Sequence, residues 1–196
     1  MNVAIIKYNA GNIYSVEYAL KRLGIDPVIT ADKELLQKAD KIIFPGQGEA
    51  TQTMCYLKAH RLDEVIINLK QPVLGICIGM HLLCRTSEEG NIPCLGIFDA
   101  PVLKFQPEKQ TDKIPHTGWN TVTQLKSRLY EDISDEEYVY FVHSYYVPLN
   151  NCTVAQTGYI HPFSASMHKD NFYAVQFHPE KSGSVGERIL KNFIEL

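Results

Sequence analysis

The 196-residue sequence contains no CxxC pair, no block of lysines and arginines, no internal repeat and no low-complexity segment. It also has no apolar run near the roughly 18 residues that would suggest a membrane span. Each absence closes off a class of function. The five cysteines, at positions 55, 77, 84, 94 and 152, are odd in number and lack ribbon spacing, which argues against a disulfide framework and a structural zinc site. With 19 basic and 22 acidic residues and a net charge of −3, the chain lacks the electrostatic footprint of a nucleic-acid or anionic-membrane binder. The histidines show neither H-x3-H nor H-E-x-x-H spacing, so no bound metal or cofactor is expected. The opening apolar run at 3–6 is cut off by Lys7 and Asn9, too short for a signal peptide's core. These features predict a reduced, cytoplasmic protein whose partners are small molecules or other proteins, with no nucleic acid and no membrane.

A hydrophobic content of 45% over this length is enough for one domain, 1–196, with its own core. Short apolar runs at 3–6, 27–29, 42–44 and 73–76 read as fully buried strands, and helical patterns lie between them. The first helix, with Ile13, Val16, Leu20 and Leu23 on one face, can be capped by Asn12 and ended by Gly24. A longer helical stretch runs from about 50 to 69. After residue 90 the texture changes to strand candidates at 101–105, 138–142 and 172–177, followed by a closing helix carrying Val185, Ile189, Leu190 and Phe193. The predicted fold class is α/β, an open, mostly parallel sheet flanked by helices, with additional antiparallel strands in the C-terminal half.

The most specific local signal is Gly75-Ile76-Cys77-Ile78-Gly79, where the fourth strand meets the helix that begins at Met80. A nucleophile presented on so sharp a turn needs neighbours without bulky Cβ substituents. At a helix N-terminus, Cys77 would also feel the positive end of the dipole, and unpaired amides there can hold an oxyanion. The competing reading is one more buried cysteine, since free cysteine is commonly buried. What tips the balance is a base. In Gln176-Phe177-His178-Pro179-Glu180, proline disposes His178 to an extended conformation, in which Glu180, two residues on, projects to the same side. The carboxylate could then fix the tautomer of the imidazole and stabilise its cation. By itself the same segment could be a plain strand exit with a solvated carboxylate.

Taken together, these two motifs resemble the catalytic triad of class I glutamine amidotransferases. Further segments narrow the resemblance to glutaminase subunits of imidazole glycerol phosphate synthase: Tyr8-Asn9-Ala10-Gly11-Asn12, Phe44-Pro45-Gly46-Gln47-Gly48, Pro115-His116-Thr117-Gly118-Trp119-Asn120, Tyr140 to Tyr146, and Lys181-Ser182. The resemblance implies Cys77 as nucleophile, His178 as acid and base, and Glu180 as its orienter. It further implies an oxyanion hole built from Ile78 and the Gly46–Gly48 loop, and a glutamine site including His81, Ser144 and Tyr145. Asn12, Trp119, Asn120 and Lys181 would face a barrel-shaped cyclase subunit in a heterodimer that receives the ammonia. Trp119, the sole tryptophan, could equally be a core residue. Gln47, His81 and Thr117 depart from the pattern, which more usually has valine, glutamine and methionine there. The competing readings are a paralogous amidotransferase serving another synthase, as in sugar amidination, and a non-catalytic regulatory subunit.

Overall fold

A computed structural model of the chain describes residues 1–8 and 13–196. The N-terminal half alternates strand and helix: β1 (Val3–Ile6), α1 (Ile13–Arg22), β2 (Val28–Thr30), α2 (Lys33–Lys38), β3 (Lys41–Phe44), α3 (Ala50–Ala59), α4 (Leu62–Asn68), β4 (Val73–Ile76) and α5 (Ile78–Leu83). The rest is mainly strand: β5 (Cys84–Ser87), β6 (Ile92–Pro93), β7 (Phe98–Lys104), β8 (His116–Val122), β9 (Glu137–His143), β10 (Tyr145–Tyr146), β11 (Thr153–Gly158), β12 (Pro162–Lys169) and β13 (Phe172–Val175), before the closing α6 (Gly183–Glu195).

Seven strands form the central sheet in the order β11-β12-β13-β4-β3-β1-β2. β2, β1, β3, β4 and β13 run parallel, and β12 and β11 extend the sheet antiparallel. The inner strands are buried on both faces, which is why they read as unbroken apolar runs. Ala4, Ile6, Ile42 and Phe44 point into the core covered by α2 to α5, whereas Val3, Ile5, Ile43, Leu74 and Ile76 point into the one under α1 and α6. A four-stranded sheet, β10-β7-β5-β6, and the β8–β9 ribbon flank this body.

Gly24, at φ 78, ends α1 as expected: its N–H reaches Lys21 O and that of Ile25 reaches Leu20 O, the paired bonds that satisfy a helix's last carbonyls. The cap expected of Asn12 lies outside the described residues.

Two expectations need correction. The stretch from 50 to 69 is two helices, broken at Arg61, whose φ of 52 no α-helix accommodates. Leu57 and Leu62, both fully buried in the same core, would point about 140° apart on a continuous helix, so the break lets both face the sheet. The last strand ends at Val175 rather than 177, and Gln176 keeps one bond to the neighbouring strand, its N–H donating to Ala165 O (2.8 Å), just where the chain approaches the elbow.

Candidate active site

Cys77 sits between β4 and α5 with φ 50 and ψ −106, a backbone conformation that costs a non-glycine residue about 1–3 kcal/mol. The neighbouring glycines make it attainable, through close approach rather than unusual dihedrals. A Cβ on Gly79 would lie 2.1 Å from Phe44 O, one on Gly46 2.5 Å from Ile76 O, and one on Gly75 3.0 Å from the Gly79 carbonyl carbon. None of the three has positive φ. The loop after β3 is therefore pressed onto the elbow, and the Tyr8 hydroxyl, donating to Pro45 O, pins it there. Burial pushes that phenol's pKa far up, so it stays a donor.

His178 arrives from the neighbouring strand. Its imidazole Nδ1 lies 2.8 Å from Glu180 Oε1, with the two side chains 1% and 2% exposed. The contact forms over a short 3-10 turn, Pro179–Lys181, rather than along an extended segment, although His178 itself is extended at φ −102 and ψ 95. β9 clamps this segment: His178 N–H donates to Tyr140 O (2.9 Å) and Tyr140 N–H to Ser182 Oγ (3.0 Å), while that hydroxyl donates to His178 O (2.7 Å). Burial alone would lower the pKa of His178. The negative charge of the Cys77 sulfur and of Glu180 outweighs it and raises the value to about 10. The imidazole therefore carries its proton at neutral pH beside the sulfur, able to deliver it to a leaving group.

In front of the sulfur lies a cavity of about 280 Å³ lined by Gly48, Cys77, Ile78, His81, Glu89, Pro115, Val142, His143, Ser144 and Tyr145. Six of these were expected from the sequence: Cys77 as nucleophile, and all but Gly46 of the predicted oxyanion and substrate residues. Gly46 is instead buried behind the loop, where its missing side chain makes room for Ile78. Glu89 was missed: it follows β5 as one more acidic residue in a Glu-Glu pair with no motif of its own. It is the one acidic side chain lining the cavity, held by the Ala50 N–H at 3.0 Å.

His143 was also missed as part of the wall, and a chain of hydrogen bonds runs outward from it. Its Nδ1–H donates to Tyr145 O (2.7 Å), so Nε2 accepts from His116 Nδ1–H (2.9 Å), and His116 Nε2 in turn accepts from Asn120 Nδ2–H (3.2 Å). Burial keeps both rings neutral, lowering His116 to about 4 and holding His143 well below its ordinary value. Asn120, expected at a partner surface, thus also spends its amide inside the protein, donating to Gly158 O at 2.9 Å. Trp119 is 55% exposed, which rules out a core role. Lys181 is exposed immediately after Glu180, and Asn12 lies outside the described residues. Among the described residues, no helix is long and apolar enough to cross a membrane.

The family model for class-I glutamine amidotransferase matches residues 4–196. A Bacteroides thetaiotaomicron protein named imidazole glycerol phosphate synthase subunit HisH is 65% identical over 196 residues, covering all of both chains. An Escherichia coli K12 protein of the same name is 46% identical over 201 residues, again covering both in full. Among solved structures, a putative GMP synthase component from Thermoplasma acidophilum has a TM-score of 0.75 at 22% identity, covering 100% of this chain and 93% of that one, a likeness of fold. Family match, near neighbours and site geometry agree: the chain belongs to the class I glutamine amidotransferases, on the branch of the HisH subunits.

Proposed function

We propose that this chain is the glutaminase subunit of an imidazole glycerol phosphate synthase, freeing ammonia from glutamine for a cyclase subunit docked against it. The observation that carries the reading is the buried His178–Glu180 pair set against a sulfur on a strained elbow, which opens into a cavity of about 280 Å³.

The Cys77 thiolate attacks the side-chain amide carbon, forming a C–S bond and an oxyanion. The Ile78 amide at the start of α5 and the loop amides near Gly48 receive that charge; such donors are each worth roughly 3–4 kcal/mol in the transition state. His178 passes its proton to the amide nitrogen, the C–N bond breaks, and ammonia leaves a glutamyl thioester. Water then gives a proton to His178 and attacks the thioester. The C–S bond breaks, glutamate departs, and the thiolate–imidazolium pair is restored. Glu180 holds the imidazole in one tautomer throughout. Glu89 suits the substrate's α-ammonium group, with Ser144 and Tyr145 at the same amino-acid end.

Ammonia released into water is protonated and lost as a nucleophile, so the exit has to be covered by the partner. Trp119, Asn120 and Lys181 form the docking face for the cyclase, in a cytoplasmic heterodimer where the thiol stays reduced. The testing experiment compares glutamine-dependent and ammonia-dependent product formation by the reconstituted pair. Cys77→Ala abolishes the first and leaves the second intact; loss of both, or of neither, would overturn the reading.

A further inference from the structure

β13 and β4 run side by side with Val175 opposite Ile76, so the next residues, Gln176 and Cys77, lie next to each other at one edge of the sheet, their N–H groups bonded to Ala165 O and Val175 O (2.8 Å each). The Gln176 side chain is fully buried between His81 and Cys77 and both of its polar ends are engaged. Its Oε1 lies 2.7 Å from His81 Nε2 and its Nε2 lies 3.8 Å from Cys77 Sγ. His81 stands one turn beyond Cys77 on α5, and burial lowers its pKa to about 4, so the ring is neutral with a single N–H.

Only one arrangement of these protons is consistent with an anionic sulfur. Were Gln176 turned over, its carbonyl lone pairs would face the thiolate and its N–H would face His81. With the imidazole donating from Nε2 to Oε1, the amide N–H is aimed at sulfur, the favourable polarity. The sulfur also approaches Val142 O at 4.0 Å, an oxygen that a thiol can donate to but that repels a thiolate. Around the sulfur, burial keeps Tyr8 protonated and His81 and His143 uncharged. Among the described side chains, the His178 imidazolium and the Gln176 N–H therefore remain to hold its negative charge.

We propose that Gln176 is a positioning residue for the nucleophile, its carboxamide locked by His81 so that one N–H holds and stabilises the Cys77 thiolate ahead of attack. The proposal rests on Cys77 being the nucleophile. It also gives His81 a task besides lining the glutamine cavity.

The test follows the rate of Cys77 alkylation by iodoacetamide against pH in the full chain, with glutamine turnover in the complex. Gln176→Met keeps the shape and removes the donor. Its alkylation midpoint should rise by about one pH unit, since a hydrogen bond to a charged group is worth roughly that. Turnover should fall about tenfold in kcat with KM little changed. His81→Leu, which frees the amide to turn over, should move the midpoint in the same direction by less, whereas His81→Gln, which restores a donor, should bring it back. A folded Gln176→Met chain with an unshifted midpoint overturns the proposal. Should that variant fail to fold, an unshifted His81→Leu profile does so. If a glutamine-analogue electrophile does not label Cys77 in the unaltered complex, what fails is the glutaminase reading underneath.

Discussion

Gly186 lies directly against the carbonyl of Pro179: a Cβ added to it would stand 2.0 Å from that oxygen. α6 thus braces, from below, the turn that holds Glu180 to His178. Gly186→Ala should push the turn outward and cost about 1–3 kcal/mol, the usual range for overpacking a dense site. Glutamine turnover should fall more than stability does, because the imidazole loses its aim before the fold is lost. Urea unfolding beside glutaminase assays checks this; a variant as active as the parent would show that α6 does not brace the base.

Strain at the elbow makes a separate claim. Cys77 holds φ 50 with ψ −106, a region that glycine enters freely and residues with a Cβ do not. Cys77→Ala and Cys77→Gly both remove the sulfur and differ only in that Cβ. Both should be inactive with glutamine. The glycine variant should nevertheless be the more stable by about 1 kcal/mol, against the ordinary expectation that glycine loosens a chain. Equal unfolding midpoints would mean that the elbow stores no strain.

Much of this was legible in the residues, for a physical reason. Buried parallel strands leave continuous apolar runs, so β1, β3 and β4 could be read directly, and Gly24 announced the end of α1. The candidate site was legible because the elbow's glycines mark where Cys77 sits and His178 and Glu180 stand two residues apart, although their contact forms over a 3-10 turn and not along the extended segment that Pro179 suggested. The elements missed, β5, β6, β8 and β10 to β12, are short or partly polar, and only long-range pairing defines them. Glu89 and His143 were missed because what recruits them to the cavity is the folding of the flanking sheet and ribbon over α5, a contact with no local pattern. Arg61 was invisible for a similar reason: the demand that Leu57 and Leu62 face one core is tertiary.

The buried histidines predict how stability follows pH. His81 and His116 are lowered to about 4, and His143 lies well below its ordinary 6.5. For each, the unfolded chain takes up a proton first, so stability falls as the pH drops from about 6.5 toward 4. His178 has the opposite sign: with a folded value of about 10, its contribution is complete below the unfolded value and is lost as pH rises toward 10. His81→Gln should flatten the acid limb by roughly 3 kcal/mol between pH 7 and pH 4, as expected for the displacement of that one group. Urea titrations over this range check it. An acid limb as steep as the parent's would mean that His81 is already charged in the folded chain.

Trp119 offers the clearest separation of folding from docking. On the β8–β9 ribbon it stands opposite Tyr140, ring centroids 6.0 Å apart and edge to face, and Tyr138 beside it is also exposed. Indole rings left in water on a rigid ribbon add little to the stability of their own chain, yet as interface anchors they are commonly worth about 2 kcal/mol or more on truncation. Trp119→Ala should therefore unfold within about 0.5 kcal/mol of the parent. Its affinity for the proposed cyclase partner should drop about thirtyfold or further, by the usual conversion of free energy to binding constant. The hydrogen-bond chain from Asn120 through His116 to His143 lies on the same ribbon, so weaker docking should also lower glutamine turnover in the complex at subsaturating partner. Calorimetric titration of the two subunits decides the matter: unchanged affinity in a folded variant would move the docking face away from this ribbon.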